Sequence, residues 1–260
     1  MNFYPTPPVI QAEVYVQIPA ALRCSGQPTE RRGGSATPAS DIFLEGPTWT
    51  SSGDLYVTDI PYGRILKIEP LKQVTECARY DGEPNGLALR DDGCMLVADY
   101  KQGQTGMNDQ TGRVYRLTKD GRLDCFLDNG ISPNGIVLSP DERFLYVAMT
   151  RSNAVWRLPL NADGSTTKAG LFFQSFGCAG PDGLAVDEEG SLFICHPSLG
   201  SVFVVDSDGV PKARIVTAPD GGKNLTNCTF GGEDGKTIFI TDSIKGNIQC
   251  VRWHCRGAST

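Results

Sequence analysis

A repeated unit is clearest in residues 132–142, which read Ser132-Pro133-Asn134-Gly135-Ile136-Val137-Leu138-Ser139-Pro140-Asp141-Glu142. A Pro-Asn-Gly step presents a neutral amide, a short apolar run follows it, and an acidic turn ends the unit. Two further copies keep this order of residue types, and they begin Glu83-Pro84-Asn85-Gly86-Leu87 and Gly180-Pro181-Asp182-Gly183-Leu184. Two diverged copies lie at the ends of the series, and they begin Leu44-Glu45-Gly46-Pro47 and Leu225-Thr226-Asn227-Cys228.

Each copy begins with a side chain that carries an oxygen atom. These residues are Glu45, Asn85, Asn134, Asp182 and Asn227, at separations of 40, 49, 48 and 45 residues. A period of that length, with short strands between turns, is typical of the blades of a β-propeller. The repeat therefore predicts an all-β chain with four strands in each blade, and five starts predict five blades.

The runs inside each unit have the composition of strands. They are rich in β-branched and aromatic residues and are bounded by turn residues, as in Leu55-Tyr56-Val57-Thr58-Asp59. We expect a single propeller domain over residues 1–260, with the blades at 43–253. A strand at 12–18 is expected to join the last blade and close the ring. Residues 24–40, rich in Gly, Ser, Pro and Arg, are expected to form a mobile loop.

The composition excludes several classes of protein. The net charge is -6 and Lys and Arg are scattered, so no nucleic-acid partner is expected. No apolar run reaches transmembrane length and the N-terminus has no signal-peptide pattern, so no membrane partner is expected. The nine cysteines include no CxxC pair, which indicates buried thiols in a reducing compartment, the cytoplasm.

Propeller geometry predicts a shared site, because the first strand of each blade lines the central channel. The side chains of Glu45, Asn85, Asn134, Asp182 and Asn227 are then expected to meet at one mouth of the channel. Carboxylate and amide oxygens form a hard site suited to Ca²⁺, Mg²⁺ or Mn²⁺. The alternative is that Asn-Gly and Asp-Gly serve only as turn dipeptides that tolerate positive φ.

Other candidate residues are fewer. His196 follows a second strand and could border the mouth, although a structural role is the alternative. Asp59, Asp99 and Asp242 end second strands, where turn caps are more common than bases. No Gly-x-Ser-x-Gly elbow and no phosphate-binding glycine loop is present, which argues against a serine hydrolase and a nucleotide site.

The order of motifs resembles that of the gluconolactonase and senescence-marker-protein (regucalcin) family of lactonases. The phrases that carry the resemblance span about residues 12–252, and they include Leu44-Glu45-Gly46-Pro47, Pro133-Asn134-Gly135-Ile136, Gly180-Pro181-Asp182-Gly183-Leu184-Ala185-Val186-Asp187 and Thr226-Asn227-Cys228-Thr229-Phe230-Gly231-Gly232. The resemblance implies a six-bladed propeller that opens lactone rings of sugar acids and related compounds. It also implies one divalent ion held by Glu45, Asn134 and Asp182, with Asp182 as the base that activates water.

The chain is shorter than the family pattern by about one blade. One blade that the family has between the blades starting at Asn85 and Asn134 is missing, and with it an Asn that touches substrate or metal. Residues 95–103 resemble the second strand of one blade, and residues 104–117 resemble the loop and third strand of the next. The fused unit keeps four strands, so a ring of five blades is physically possible, and Asn85 is a candidate for the missing position.

The predicted function is a divalent-metal-dependent lactone hydrolase. Ca²⁺ is the expected ion, with Mg²⁺, Mn²⁺ or Zn²⁺ as alternatives, and Asn85 and Asn227 are expected to line the substrate pocket. The same scaffold could instead hydrolyse phosphotriesters or direct a cyclisation or isomerisation. A non-catalytic binding propeller is the third hypothesis, which an exposed apolar face without metal binding would favour.

Overall fold

A computed structural model describes residues 6–26, 40–81, 83–89, 95–99, 112–117, 123–162, 165–177 and 179–258. The architecture is a β-propeller, as the repeat predicts. Among the described residues, no helix is long and apolar enough to span a membrane. Short 3-10 helices lie at Ala20–Leu22, Ile60–Tyr62, Thr150–Ser152 and Pro197–Leu199. Most of the loop predicted at 24–40 lies outside the described residues.

The strands follow one another in the rhythm that the repeat predicts. In chain order they are β1 (Val9–Gln11), β2 (Glu13–Gln17), β3 (Leu44–Trp49), β4 (Leu55–Asp59), β5 (Arg64–Ile68), β6 (Val74–Arg79), β7 (Pro84–Leu89), β8 (Met95–Asp99), β9 (Gly112–Leu117), β10 (Leu123–Gly130), β11 (Pro133–Leu138), β12 (Phe144–Met149), β13 (Ala154–Pro159), β14 (Gly170–Gln174), β15 (Leu184–Val186), β16 (Leu192–His196), β17 (Ser201–Val205), β18 (Pro211–Val216), β19 (Leu225–Gly231), β20 (Thr237–Asp242) and β21 (Asn247–Arg252).

Four sheets contain a complete run of four antiparallel strands. Three are built from consecutive strands, and we call them the 44–79 blade (β3–β6), the 133–174 blade (β11–β14) and the 184–216 blade (β15–β18). The fourth, the 225–252 blade, has the order β19-β20-β21-β2. β2 pairs antiparallel with β21 and places Glu13 opposite Cys250. The closure of the ring by this strand stays a prediction.

The N-terminal segment makes a second contact that the sequence does not predict. β1 pairs parallel with β18, with Val9 opposite Arg214, and adds a fifth strand to the 184–216 blade. The chain then crosses to the 225–252 blade at Ala12, whose N–H donates to the carbonyl of Val216 at 3.0 Å. The first 17 residues therefore join two neighbouring blades.

The remaining strands form two pairs. β7 pairs with β8, and β9 pairs with β10. In the described part of the chain these are separate two-stranded sheets, whereas a five-bladed ring requires them to belong to one four-stranded blade. The count of five blades therefore stays a prediction.

The apolar core lies between the faces of neighbouring sheets. Phe193 and Cys195 of β16 share a buried cluster with Cys228 of β19 and with Trp253, which follows β21. Similar clusters fill the spaces between the 225–252 and 44–79 blades and between the 133–174 and 184–216 blades. A further cluster packs β9 and β10 on the 133–174 blade. Face-to-face packing of twisted sheets thus fixes the order of blades around the ring.

One edge of the ring carries the starts of all innermost strands, and we call it the upper edge. Pairings place Leu44 opposite Asp59, Pro133 opposite Met149, and Leu225 opposite Asp242. The turns that follow the second strands therefore also lie at this edge. Three of these turns end in the left-handed conformation, at Gly63, Asn153 and Gly200, residue types that tolerate positive φ. The strand-to-strand turns at the opposite end form the lower edge.

Candidate metal centre

Backbone hydrogen bonds tie neighbouring innermost strands together at the upper edge. Gly135 donates its N–H to the carbonyl of Asp182 at 3.0 Å. Gly183 donates in the same way to the carbonyl of Thr226 at 2.7 Å. The strands that carry Asn134, Asp182 and Asn227 are therefore direct neighbours.

Threonine hydroxyls continue the same chain of contacts. Thr226 donates its hydroxyl to the carbonyl of Leu44 at 3.1 Å, and Thr58 donates to the carbonyl of Asn85 at 2.8 Å. Four of the predicted site residues thus lie on innermost strands of one arc, and Asp182 lies just before the fifth of these strands, β15. Their order around the ring is Asn134, Asp182, Asn227, Glu45 and Asn85. The sequence repeat predicts the members of this arc but not the threonines that join it.

Irregularities in four innermost strands coincide with these residues. The register with the second strand shifts between Glu45 and Thr48, between Pro84 and Leu87, between Pro133 and Ile136, and between Leu225 and Asn227. Such bulges change the direction of a side chain and commonly lie next to functional sites. In four of the five repeats the polar residue is therefore placed at an irregularity of a strand, whereas Asp182 lies just before the regular strand β15.

Glu45 and Asn227 are in direct contact. Glu45 is buried, with 4% of its surface exposed, and its Oε2 accepts a hydrogen bond from Nδ2 of Asn227 at 3.1 Å. Oδ1 of Asn227 accepts the N–H of Cys228 at 2.9 Å. Both ends of the Asn227 amide are thus fixed, which orients one carboxylate oxygen of Glu45.

The charges of Glu45 and Asp182 both act on one buried thiol. Burial, a hydrogen bond with Cys228, and the charges of Asp182 and Glu45 together raise the pKa of Cys195 well above its ordinary value. Asp182 donates its N–H to the carbonyl of Cys195 at 2.9 Å. Two carboxylates whose charges both reach this thiol make the region negative, which favours a cation there.

The donors differ in their exposure. Glu45 is buried, Asp182 is half-buried and Asn134 is exposed. Two carboxylates and an amide offer only oxygen ligands, and the exposed member leaves access from solvent. This donor set fits a hard divalent cation, because such ions keep open positions for water. Asn85 is half-buried at the next position of the arc.

The acids at the ends of the second strands have structural partners. Asp59 accepts the N–H of Phe43 at 2.8 Å and binds Arg64 at 2.6 and 2.9 Å. Asp242 accepts the side-chain amide of Gln249 at 3.1 Å. These contacts explain both residues without a role as bases.

His196 is enclosed at the end of β16. Its Nδ1 lies 3.4 Å from the hydroxyl of Ser198, and its Nε2 is buried without a hydrogen-bond partner. Burial lowers the pKa of His196, so the imidazole is held neutral.

A second group of possible ligands lies at the lower edge. Asp187, Glu189 and His254 have ligand atoms within 4.8 Å of one another. The Asp187 carboxylate, however, already accepts the N–H of Ser191 at 2.7 Å and the indole N–H of Trp253 at 2.8 Å. One Asp187 oxygen is therefore occupied by the turn between β15 and β16, and the other by Trp253, which follows β21.

Comparisons with known proteins find relatives of one family. The profile of the family described as "SMP-30/Gluconolactonase/LRE-like region" matches residues 84–244. The chain is 32% identical over 237 residues to a gluconolactonase of Zymomonas mobilis, covering 83% of this chain but 63% of that protein. It is 31% identical to the lactonase drp35 of Staphylococcus epidermidis, covering 80% of this chain and 81% of that protein.

A solved structure shares the whole fold. The calcium-binding protein regucalcin of Agrobacterium tumefaciens superposes with a TM-score of 0.74 and covers 98% of both chains, at 20% sequence identity. This similarity concerns the arrangement of strands.

Proposed function

The chain belongs to the SMP-30/gluconolactonase/LRE-like family, and from that premise we propose that it is a divalent-metal-dependent hydrolase that opens the ring of a small lactone. The observation that carries the proposal is the arc of neighbouring strands that brings Asn134, Asp182 and Glu45 to one edge of the propeller. The lactonase names of the relatives support the reaction class.

We assign Glu45, Asn134 and Asp182 as the residues that would hold the ion, and Ca²⁺ as the ion, because all donors are oxygens. Bound there, a divalent ion would polarise a carbonyl group and stabilise negative charge on its oxygen. The contact from Asn227 to Glu45 keeps one carboxylate oxygen in a fixed orientation. We assign Asn85 and Asn227, the neighbours of Glu45 on the arc, to the substrate pocket.

Asp182 is the proposed base. Its carboxylate takes a proton from water, and the water oxygen forms a bond to the carbonyl carbon of the lactone. The bond between that carbon and the ring oxygen breaks, and the proton passes to the ring oxygen. The product is the open-chain hydroxy acid, with all atoms of water and lactone retained.

The proposed setting is the cytoplasm, with the whole chain as one domain. The buried free thiols Cys24, Cys195, Cys228, Cys250 and Cys255 support a reducing compartment. Fractionation of cells that produce the protein tests this assignment, and recovery in a secreted fraction would contradict it.

The test measures the hydrolysis of sugar-acid lactones and simple γ-lactones as release of acid. The assay is run with Ca²⁺ present and with Ca²⁺ removed by a chelator. Glu45→Gln and Asp182→Asn preserve shape but remove charge, and each is expected to lower kcat/KM by about 100-fold or more. Glu188→Gln, an exposed acid at the lower edge, is the matched control and should be fully active. Full activity in Asp182→Asn, or turnover of phosphotriesters but not lactones, would contradict the proposal.

A further inference from the structure

A buried histidine that the proposed mechanism does not use lies beside the backbone that carries Asp182. We call residues 179–183 the Asp182 segment. His196 ends β16, the second strand of the same blade, and is fully buried. Cys195, the residue before it, accepts the N–H of Asp182 at 2.9 Å and donates its own N–H to the carbonyl of Gly183 at 3.0 Å. The end of β16 therefore holds the backbone at Asp182 directly.

Ser198 connects His196 to the same segment. Its hydroxyl donates to the carbonyl of Ala179 at 3.0 Å and lies 3.4 Å from Nδ1 of His196. Because a hydroxyl has a single proton, Nδ1 of His196 must carry a proton and donate it to Oγ of Ser198. The Nε2 atom of His196 is buried and has no hydrogen-bond partner among the residues that the structure describes. The imidazole and the hydroxyl thus form a relay from the end of β16 to Ala179.

The backbone of the Asp182 segment depends on contacts from outside it. Ala179 has a φ of +66°, in the left-handed region that residues other than glycine adopt at a cost. On the side of the neighbouring blade, a Cβ atom on Gly180 would collide with the carbonyl of Thr150. The Thr150 hydroxyl donates to the carbonyl of Pro181 at 2.8 Å. The segment is therefore held between the turn that follows β12 and the turn that follows β16.

The ends of second strands in two other blades hold the equivalent segments. Asp59, at the end of β4, accepts the N–H of Phe43, which lies two residues before Glu45. Asp242, at the end of β20, accepts the N–H of Gly222, in the segment that leads to β19. In the 184–216 blade the segment presents a carbonyl group at this contact, so the end of the second strand must supply a donor instead of an acceptor.

Resting on the proposed function, we propose that His196 and Ser198 are positioning residues that fix the carboxylate of Asp182 for binding the ion and for taking a proton from water. They act through the backbone of the Asp182 segment and do not themselves contact the ion or the lactone. Residues that hydrogen-bond behind a metal ligand set its orientation, and their loss commonly lowers metal affinity or activity by about 10- to 100-fold.

The experiment measures Ca²⁺ affinity by calorimetry on metal-stripped protein, and kcat and KM for a sugar-acid lactone at saturating Ca²⁺. The temperature is one at which unfolding curves show every variant to be folded. Ser198→Ala and His196→Leu break the relay, and each is expected to weaken Ca²⁺ binding about tenfold or more and to lower kcat with little change in KM. His196→Asn places an amide donor where Nδ1 lies, and it should restore most of the affinity and turnover.

Ser201→Ala is the matched control. The Ser201 hydroxyl is buried at the same turn, but it bonds to the carbonyl of Leu199 and to Nε of Arg214 and not to the Asp182 segment. This variant should lower the free energy of unfolding while the folded protein keeps its Ca²⁺ affinity. A purely structural role of His196 would give the same result in Ser198→Ala and His196→Leu.

Amide hydrogen exchange of residues 179–183, measured without metal, tests the relay independently of the proposed function. We expect faster exchange in Ser198→Ala than in Ser201→Ala. Unchanged exchange, or natural Ca²⁺ affinity in Ser198→Ala, would overturn the positioning role and leave the proposed function intact. If the natural protein bound no Ca²⁺ and hydrolysed no lactone, the proposed function and the positioning role would both be overturned.

Discussion

Gly135 and Gly183 set how closely neighbouring innermost strands approach each other. A Cβ atom on Gly135 would collide with the carbonyl of Asp182, and one on Gly183 would collide with the side chain of Asn227. Neither glycine has a positive φ. The glycines after Asn134 and Asp182 are therefore required by packing between blades and not by turn geometry.

We expect Gly135→Ala and Gly183→Ala to lower the free energy of unfolding by about 1–3 kcal/mol, because the backbone at these positions cannot move away without separating two blades. Urea unfolding measures the loss. The matched control is Gly170→Ala, where an added Cβ would meet only one backbone oxygen, at 4.0 Å. Equal stability of all three variants would contradict this account of the site.

His196 makes the stability of the fold sensitive to acid. Burial lowers its pKa in the folded state, so the unfolded chain binds the proton more readily. As pH falls through the ordinary histidine value of about 6.5, protonation therefore favours unfolding, and stability present above that pH is lost.

The free energy of unfolding is thus expected to fall between pH 7 and pH 5. His196→Gln, which cannot take up a proton, should reduce this slope even where it lowers stability overall. Denaturant titrations at several pH values measure how the free energy of unfolding depends on pH. An unchanged pH dependence in His196→Gln would contradict the role given to His196.

Single residues of the site were predictable because repetition reveals them. Glu45, Asn134 and Asp182 occupy equivalent positions of successive repeats, and the ring brings equivalent positions together. The hydrogen bond from Asn227 to Glu45 was not predictable, since it depends on the approach of strands that are 182 residues apart in sequence. The contact of Cys195 with Cys228 and the influence of Asp182 and Glu45 on its thiol were not predictable from the sequence for the same reason.

At the scale of elements, a buried ion pair anchors the 44–79 blade. Arg64 at the start of β5 is 2% exposed and Asp59 at the end of β4 is fully buried. The Arg64 guanidinium also donates to the carbonyl of Leu22 at 2.6 Å. This one side chain thus connects the blade to the segment that follows the closing strand.

Arg64→Met is expected to destabilise the protein by about 3–5 kcal/mol, because it leaves the Asp59 carboxylate buried without its cation. The double variant Arg64→Met/Asp59→Asn should recover part of the loss, since no unpaired charge remains. Thermal and urea unfolding of both variants provide the comparison. A single variant as stable as the natural protein would show that the pair does not anchor the blade.

The positions of strands could be predicted from the sequence more readily than the bulges within them. Apolar runs such as Leu55–Asp59 have the composition of strands, so β4 follows from local sequence alone. Bulges at Glu45 and Pro133 depend on the partner strand, and a run of three residues such as β1 is too short for a periodic signal. The parallel pairing of β1 is a tertiary contact that propensity does not encode.

At the scale of the whole molecule, the N-terminal segment joins the 184–216 and 225–252 blades. Removal of residues 1–12 deletes β1 alone, whereas removal of residues 1–17 also deletes β2 and leaves β21 with a free edge. We expect the shorter truncation to remain monodisperse. The longer one should lose cooperative unfolding and aggregate, because an unpaired edge strand recruits other chains.

Size-exclusion chromatography and thermal unfolding of the two truncations test this closure. Residues 1–6 precede both strands, and their removal is the control. A 1–17 truncation that unfolds as cooperatively as the natural chain would contradict a ring closed by β2.

The general architecture was predictable because a period of 40 to 49 residues has few structural solutions. The number of blades was not, because the unit from β7 to β10 combines parts that sequence alone assigns to two blades. Its two sheets, β7 with β8 and β9 with β10, each pair neighbouring segments, and among the described residues no strand pairing joins them.

Calorimetric titration of the metal-stripped protein with Ca²⁺ most directly tests the central claim, a divalent site built by Glu45, Asn134 and Asp182. We predict one binding event per chain, lost in Asp182→Asn and retained in Glu188→Gln. Absence of binding by Ca²⁺, Mg²⁺ and Mn²⁺, or equal binding by Asp182→Asn, would contradict the claim.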